Sequence, residues 1–439
     1  MKKLLVKFYS SNKLMSLLGN GTAAVLGLVS FGLLARSLDR SDLGIWVFFM
    51  TVFTLFDMVR SGLLSNALIK RIGESDTEEE KHAFTGAAWR FGLWISAGIS
   101  VPISIFFLIF KDQFSPELVF VGKWFWLIAI ISQPNTMAIW LLNAYNRFDR
   151  LFWTRSISQF IYFLGCVANY YTNTGLELIL WSYVMGWLVA GIFTSANAWN
   201  GIKNFSAGTR AHMLSLFHFG KYSMGTLLGS NLLKSTDTFL LMFFMGPAPV
   251  ARYNVPERLL GLLDIPIRSL VSTAYPKLIA VRKRTSEAAF VSEYEVQTGL
   301  LFLIVLPVAV LTLLFSDWLV IILAGRDYLD ASVLLKVFAI YTALIPLDRL
   351  SGIALEVYDL QKLNFYKVVL MAGVNVVGDL IAIKVFNSVL GVALVSIITY
   401  GSGIVFGYYF LRNTLPFRPM RILKSGFFEL VNVLKSFKK

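Results

Sequence analysis

Apolar runs of about 20 residues or more, long enough to cross a bilayer as helices, recur along the whole chain and are parted by short charged stretches. By that length rule the sequence predicts twelve spans, near residues 13–36, 43–68, 86–110, 120–143, 154–172, 177–199, 218–245, 250–276, 299–323, 332–356, 364–386 and 390–411. Little sequence is left for anything else, so the expected class is an all-α polytopic membrane protein. The first run follows Lys2, Lys3 and Lys7, as a signal peptide would. It is too long for such a segment and ends at Arg36-Ser37-Leu38-Asp39 without a small-x-small cleavage site, so it reads as the first span.

The charged stretches set an orientation. With both termini cytoplasmic, the inside segments hold about 28 of the 40 Lys and Arg and the outside segments about seven, a strong positive-inside bias. Lys70, Lys81, Arg147, Arg150, Lys203, Arg210 and the run Arg282-Lys283-Arg284 fall inside, whereas the outside loop from Tyr170 to Leu176 carries one Glu-free, uncharged stretch. The outside connections are shorter than about 12 residues, below the length at which loops usually carry chemistry.

Composition adds exclusions. Hydrophobic residues make up 56% of the chain and charged ones 15%, against roughly 25% charged in soluble domains. The net charge of +14 is spread between spans and not gathered on a basic module, which argues against nucleic acid as a partner. One cysteine, Cys166, and three scattered histidines, His82, His212 and His218, offer neither a disulfide nor metal-ligand spacing. No cofactor or metal is expected.

A shift of about 207 residues sets Leu38, Gly44, Trp46, Leu55 and Asp57 against Met245, Ala251, Tyr253, Leu262 and Asp264, and both stretches end one span and begin the next. This weak repeat divides the chain into a six-helix bundle at 1–200, a cytoplasmic linker at 201–217, a second bundle at 218–412 and a basic cytoplasmic tail at 413–439.

Charges inside spans cost about 2.5–3.5 kcal/mol each, so they face a cavity or an opposite charge. Asp57 and Arg60 are three apart on span 2, and Lys234 and Asp237 repeat that spacing on span 7, so each pair can neutralise itself on one helix face. Span 8 carries Arg258, then Asp264 and Arg268; span 10 carries Asp348-Arg349 and span 11 Asp379. Arg258 lies roughly 100° around its helix from the Asp264/Arg268 pair, so local pairing explains it less well. Arg60 and Arg258, one in each half, are the best candidates for two walls of one cavity, where guanidinium groups suit a phosphate or diphosphate. Arg90 and Arg268 are weaker candidates for the same rim. Asp57, Lys234, Asp237, Asp264 and Asp379 are candidates for ion coupling or charge pairing. Gly225 with Gly229, and Gly403 with Gly407, form G-x-x-x-G patterns for close helix contact, and Pro266 and Pro307 can bend spans 8 and 9.

The stretch Ala35-Arg36-Ser37-Leu38-Asp39-Arg40-Ser41-Asp42-Leu43-Gly44-Ile45-Trp46 resembles the first outside loop of Wzx-type polysaccharide flippases, with Asp39 where a Gly is usual. These belong to the multidrug/oligosaccharidyl-lipid/polysaccharide exporter superfamily. Asp237, Gly246, Val250, Tyr253, Glu257-Arg258-Leu259, Pro266 and Tyr275-Pro276-Lys277-Leu278 resemble its span 7–8 signature. Asp57-Met58-Val59-Arg60, Gly325-x-x-Tyr328-x-x-Ala331 and Asn375 through Gly391-Val392-Ala393 extend the likeness. The resemblance implies a V-shaped two-bundle transporter carrying an undecaprenyl-diphosphate-linked oligosaccharide across the bacterial inner membrane by alternating access, for O-antigen, capsule or exopolysaccharide synthesis. Membrane lipids, a polysaccharide polymerase and a chain-length regulator are the partners it implies. Two other readings stand beside it. A cation-coupled multidrug exporter would use an acidic site, but each acid except Asp379 has a basic neighbour three or four residues away. A membrane polymerase or ligase would need catalytic groups at an outer loop, where only Asp112, Glu117 and Arg326-Asp327 are available.

Overall fold

The computed structural model describes residues 12–413 and 418–436, and no β-strand occurs among them. Every predicted span is helical. In chain order the helices are α1 (Asn12–Ser37), α2 (Arg40–Glu74), α3 (Glu78–Ile109), α4 (Pro116–Ile131), α5 (Gln133–Ala144), α6 (Phe148–Thr172), α7 (Leu176–Ala196) and α8 (Arg210–Met245). They continue with α9 (Pro247–Arg284), α10 (Glu287–Leu314), α11 (Ser316–Ala324), α12 (Ser332–Val357), α13 (Gln361–Lys384), α14 (Val389–Leu411) and α15 (Pro419–Ser436).

The helix ends follow local chemistry. The Asp39 carboxylate accepts the Asp42 backbone N–H at 2.7 Å, and Thr77 Oγ1 accepts that of Glu80 at 3.3 Å, filling donors that a helix start leaves open. Glu78, Glu79 and Glu80 then place negative charge at the positive end of α3. Between α8 and α9 the chain turns on one residue, Gly246, whose φ of 85° a side chain would resist, and α9 starts on Pro247, where a missing N–H costs nothing.

Two predicted spans are not single rods. The run expected at 120–143 breaks at Ser132 into α4 and α5, which meet at 45°. Pro134, the second residue of α5, has no N–H for the carbonyl one turn back, and the helix yields there. The run expected at 299–323 is interrupted at Phe315, whose φ of −105° and ψ of 18° leave the helical region, and α11 starts anew with Asp317 in its first turn.

Large apolar side chains are widely exposed: Trp94, Ile192, Trp318 and Val405 each have more than half their surface accessible. Among the described residues, seven helices and the bent α4–α5 pair are long and apolar enough to cross a bilayer. With so many large apolar side chains left uncovered by protein, they fit a multi-pass membrane protein.

The chain forms two compact units, one of residues 1–242 with 246–251 and the other of 243–245 with 252–439. The division by contacts thus groups most of α8 with the first six spans, whereas the repeat sets the second bundle at 218–412. In the first unit α1 packs on α6, α6 on α7 and α3 on α4, while α2 touches α3, α4 and α5. In the second, α12 packs on α10 and α14, α13 on α14, and α15 on α10.

Candidate functional site

The first unit is organised by one stripe of α2. Trp46, Phe49, Phe53, Phe56 and Arg60 recur at alternating steps of three and four, which places them on a single helix face. Trp46 stacks on Phe49 and Tyr162 and donates its indole N–H to the Tyr162 hydroxyl at 2.9 Å. Phe53 meets Tyr183 and Trp187 edge-on, and Phe56 meets Phe125. These rings are core; Trp46, Phe49, Phe53 and Phe56 are all buried.

The stripe ends at a fully buried arginine, 0% exposed, which crosses four helices. Arg60 Nη2 donates to Asp57 Oδ1 at 2.6 Å and to Ser132 Oγ and Thr136 Oγ1 at 3.1 Å. Its Nη1 donates to the Ala129 carbonyl and Gln133 Oε1 at 3.0 Å and to Ser96 Oγ at 3.3 Å. Phe56 lies against the guanidinium, 5.3 Å from its ring centre. The acceptors flank the break at Ser132, so the arginine fastens both halves of the bent span. Gly92 lets α5 approach, because a Cβ there would collide with Gln133. The pairing of Asp57 with Arg60 on one helix face is realised. The expectation that Arg60 lines an open wall is not, because six neighbouring residues already occupy its two terminal nitrogens. Asp57, at 35% exposure, is the accessible member of the pair.

Arg90 is placed differently. It lies on α3 beside Trp89, whose indole donates to the Asn200 carbonyl at 2.7 Å. Gly86, one turn earlier, touches the backbone of Asn204 and Gly208, so the linker is held flat against α3. Within the guanidinium of Arg90, Nε and Nη2 are buried and have no hydrogen-bond partner among the described residues. Those two nitrogens form one edge of the guanidinium fork, the edge that makes two parallel bonds to a phosphate or carboxylate.

The second unit holds its own buried cation. Lys367 of α13 reaches Asp348 of α12, with Nζ 2.8 Å from the carboxylate Oδ1 and 2.8 Å from the Asp348 backbone carbonyl, and 3.4 Å from Ser351 Oγ. Both residues are buried. Gly403 and Gly407 of α14 form the lid of this pair: a Cβ on Gly403 would press on Met371 and Asp348, and one on Gly407 on Ser351. Close contact was expected of this G-x-x-x-G and is found. On α8 an added Cβ at Gly225 meets nothing within 4 Å among the described residues, and its partner in the pattern, Gly229, lies outside them. Tyr294 and Tyr408 join hydroxyls at 2.7 Å in the adjoining core.

Asp379 and Asn375, one turn apart on α13, are both buried, as is Asp237 on α8. Arg258, on α9, is exposed. Lys234, Asp264, Pro266 and Arg268 lie within α8 and α9, but their side chains fall outside the described residues, as does Gly229.

Sequence reasoning missed Lys367 as a buried group and Ser132-Gln133-Pro134 as a break. Lys367 sits six residues into its helix and resembles any inside-loop lysine. Pro134 was a usable signal, since proline within an otherwise helical run marks a place where the helix kinks or breaks.

Comparison with known proteins agrees with this architecture. Residues 10–281 match the family model described as "Polysaccharide biosynthesis protein". A probable low-salt glycan biosynthesis flippase, Agl15 of Haloferax volcanii, is 21% identical over 399 residues, covering 88% of this chain and 79% of that protein. The lipid II flippase MurJ in an inward closed conformation superposes with a TM-score of 0.74 at 16% identity, covering 95% of this chain and 91% of that one. An inward-facing multidrug resistance MATE family transporter of the MOP superfamily superposes at 0.70 with 12% identity, covering 91% and 98%.

Proposed function

We propose, from the premise that the chain belongs to the polysaccharide biosynthesis protein family, that it is a flippase moving a lipid-linked oligosaccharide between membrane leaflets. The finer reading is an undecaprenyl-diphosphate carrier bearing a repeat unit for O-antigen, capsule or exopolysaccharide, taken from the cytoplasmic to the outer leaflet of a bacterial inner membrane by alternating access. Both termini are cytoplasmic in this reading, as the positive-inside bias requires.

The observation that carries it is Arg90. A guanidinium edge with no partner among the described residues, near the inner end of a span, is costly unless some state of the protein gives it an anion. A diphosphate supplies oxygens at the spacing that edge accepts. In the second unit Arg258, exposed on α9, and Arg268 are the further anion-binding candidates we assign. Arg60 then acts as the fastener of the bent span and not as a ligand. Asp379 and Asp237, buried in spans, are the candidates for a coupling ion, and Asp57, Lys234 and Asp264 for charge pairing. A polymerase and a chain-length regulator are the natural neighbours of such a transporter.

The test is complementation of a strain lacking the gene, with surface glycan and membrane level of the protein scored together. Arg90→Ala and Arg258→Ala should each abolish export while the protein stays in the membrane, and Arg90→Lys should restore little, since a lysine cannot make the two parallel bonds. Normal export by both alanine variants overturns the reading. Drug resistance on overexpression with no glycan phenotype would move the chain to the multidrug branch of its superfamily.

A further inference from the structure

The tail contains a helix that differs from the spans. The spanning helices carry apolar residues on all sides, whereas α15 sorts its residues by face. At 100° per residue, Ile422 and Gly426 fall on one arc. Leu423, Phe427 and Met420 fall on the next, and Lys424 and Arg421 follow.

The first arc is covered by protein. Ile422 is buried, and Gly426 crosses Gly299 of α10 backbone to backbone: a Cβ on Gly299 would stand 2.9 Å from the Gly426 Cα. The second arc is bare, with Met420 at 66% and Phe427 at 57% exposure and Phe428, beside Arg421, also open. The third holds the exposed Arg421 and Lys424, and within 418–436 the bases Arg418, Arg421, Lys424 and Lys435 face one acid, Glu429.

A helix docked along one side, greasy on the next and basic on the third has the sidedness of one lying in the plane of a membrane surface. It also follows the last span directly, at the end where inside charges gather. We propose that α15 is an interfacial helix that binds anionic lipid, with Met420, Leu423 and Phe427 in the acyl region and Arg421 and Lys424 on phosphate headgroups. The Gly299/Gly426 crossing fixes that arrangement to α10, so lipid charge is coupled to the cytoplasmic end of a span in the second unit.

The full chain in nanodiscs tests this. Hydrogen exchange of 419–436 is compared in phosphatidylcholine alone and with phosphatidylglycerol added, for the wild type and for Arg421→Glu/Lys424→Glu. Wild-type protection should rise about ten- to thirtyfold with phosphatidylglycerol, the effect of two basic groups near an anionic surface, and the double variant should lose that rise while 287–314 stays as protected as before. Equal protection in both lipids overturns the charge assignment. Location is read separately, with single cysteines at Phe427→Cys and Ser425→Cys in a Cys166→Ala background, each carrying a fluorescent label. The first should be quenched by spin-labelled lipid and the second by iodide. Iodide quenching of both overturns the interfacial placement, and so does shielding of the Phe427→Cys label from both quenchers, which would mean a second copy of the chain covers that face.

Discussion

Among the described residues each unit fully buries one Arg or Lys, and the two are satisfied in opposite ways. Arg60 spreads its two terminal nitrogens over six acceptors from four helices, including the carbonyl exposed by a broken span. Lys367 holds a single partner residue and its neighbour one turn on, both from α12. A planar fork can bind a bend together; a point charge can only close a pair. The first unit therefore uses its cation as a joint, and the second uses its cation as a rivet between two helices.

The comparison breaks most sharply at Arg60. Arg60→Ala strips partners from Asp57, Gln133 and the Ala129 carbonyl at once, and Asp57→Asn leaves the guanidinium buried with no counter-charge. Each should lower stability by about 3–5 kcal/mol, read as loss of the folded peak in a thermal series of detergent-solubilised protein. Arg60→Lys should recover only part of it. A full recovery by lysine would mean that charge alone, and not the fork, holds the bend.

Lys367→Met or Asp348→Leu alone should cost a similar or slightly smaller amount, because each leaves one buried charge. The double replacement should return most of the loss, since an apolar pair of like volume is often as stable as a buried ion pair. No such rescue is open to Asp57→Leu/Arg60→Met, whose arginine also serves three other helices. The same melts, run as a double-mutant cycle in each unit, separate rivet from joint.

Gly403→Ala should cost about 1–3 kcal/mol, because the new methyl presses on Met371 and the Asp348 carboxylate. Gly401→Ala, two residues away in the same helix with nothing within 4 Å of the added Cβ among the described residues, should be neutral or stabilise by about 0.5–1 kcal/mol. Equal effects at both positions would show that the lid over Lys367 is not tightly packed.

How much of this could be read from sequence depended on range. Span positions were legible because bilayer thickness dictates them residue by residue. Asp57 with Arg60 was legible as a pair because three residues is a contact distance on a helix. The rest of the Arg60 network was not, since its acceptors lie 36 to 76 residues away and are serines, a threonine, a glutamine and a carbonyl with no pattern of their own. Lys367 and Asp348 are 19 residues apart on different helices, so nothing local joins them. Arg90 was visible as a charge near the end of a span, but that one edge of it lacks a partner among the described residues needed coordinates.

At the weak end of the scale lies the exposed pair of Arg147 and Asp149, outside the spans, joined at 3.1 Å through Nε and 2.9 Å through Nη2. Hydrogen bonds from Arg147 hold the Asp149 carboxyl below the usual carboxylate range. A depressed acid stabilises the fold above its unfolded pKa and loses that contribution as pH falls through the folded one. Asp149→Asn should thus change stability by less than about 1 kcal/mol at neutral pH, and the difference should vanish in acid as the wild-type carboxyl protonates. The pair has the two-pronged geometry that Arg60 shares among six acceptors, yet both side chains are more than 40% exposed. A cost at Asp149 as large as that at Asp57 would mean that burial is not what makes the joint in the first unit strong.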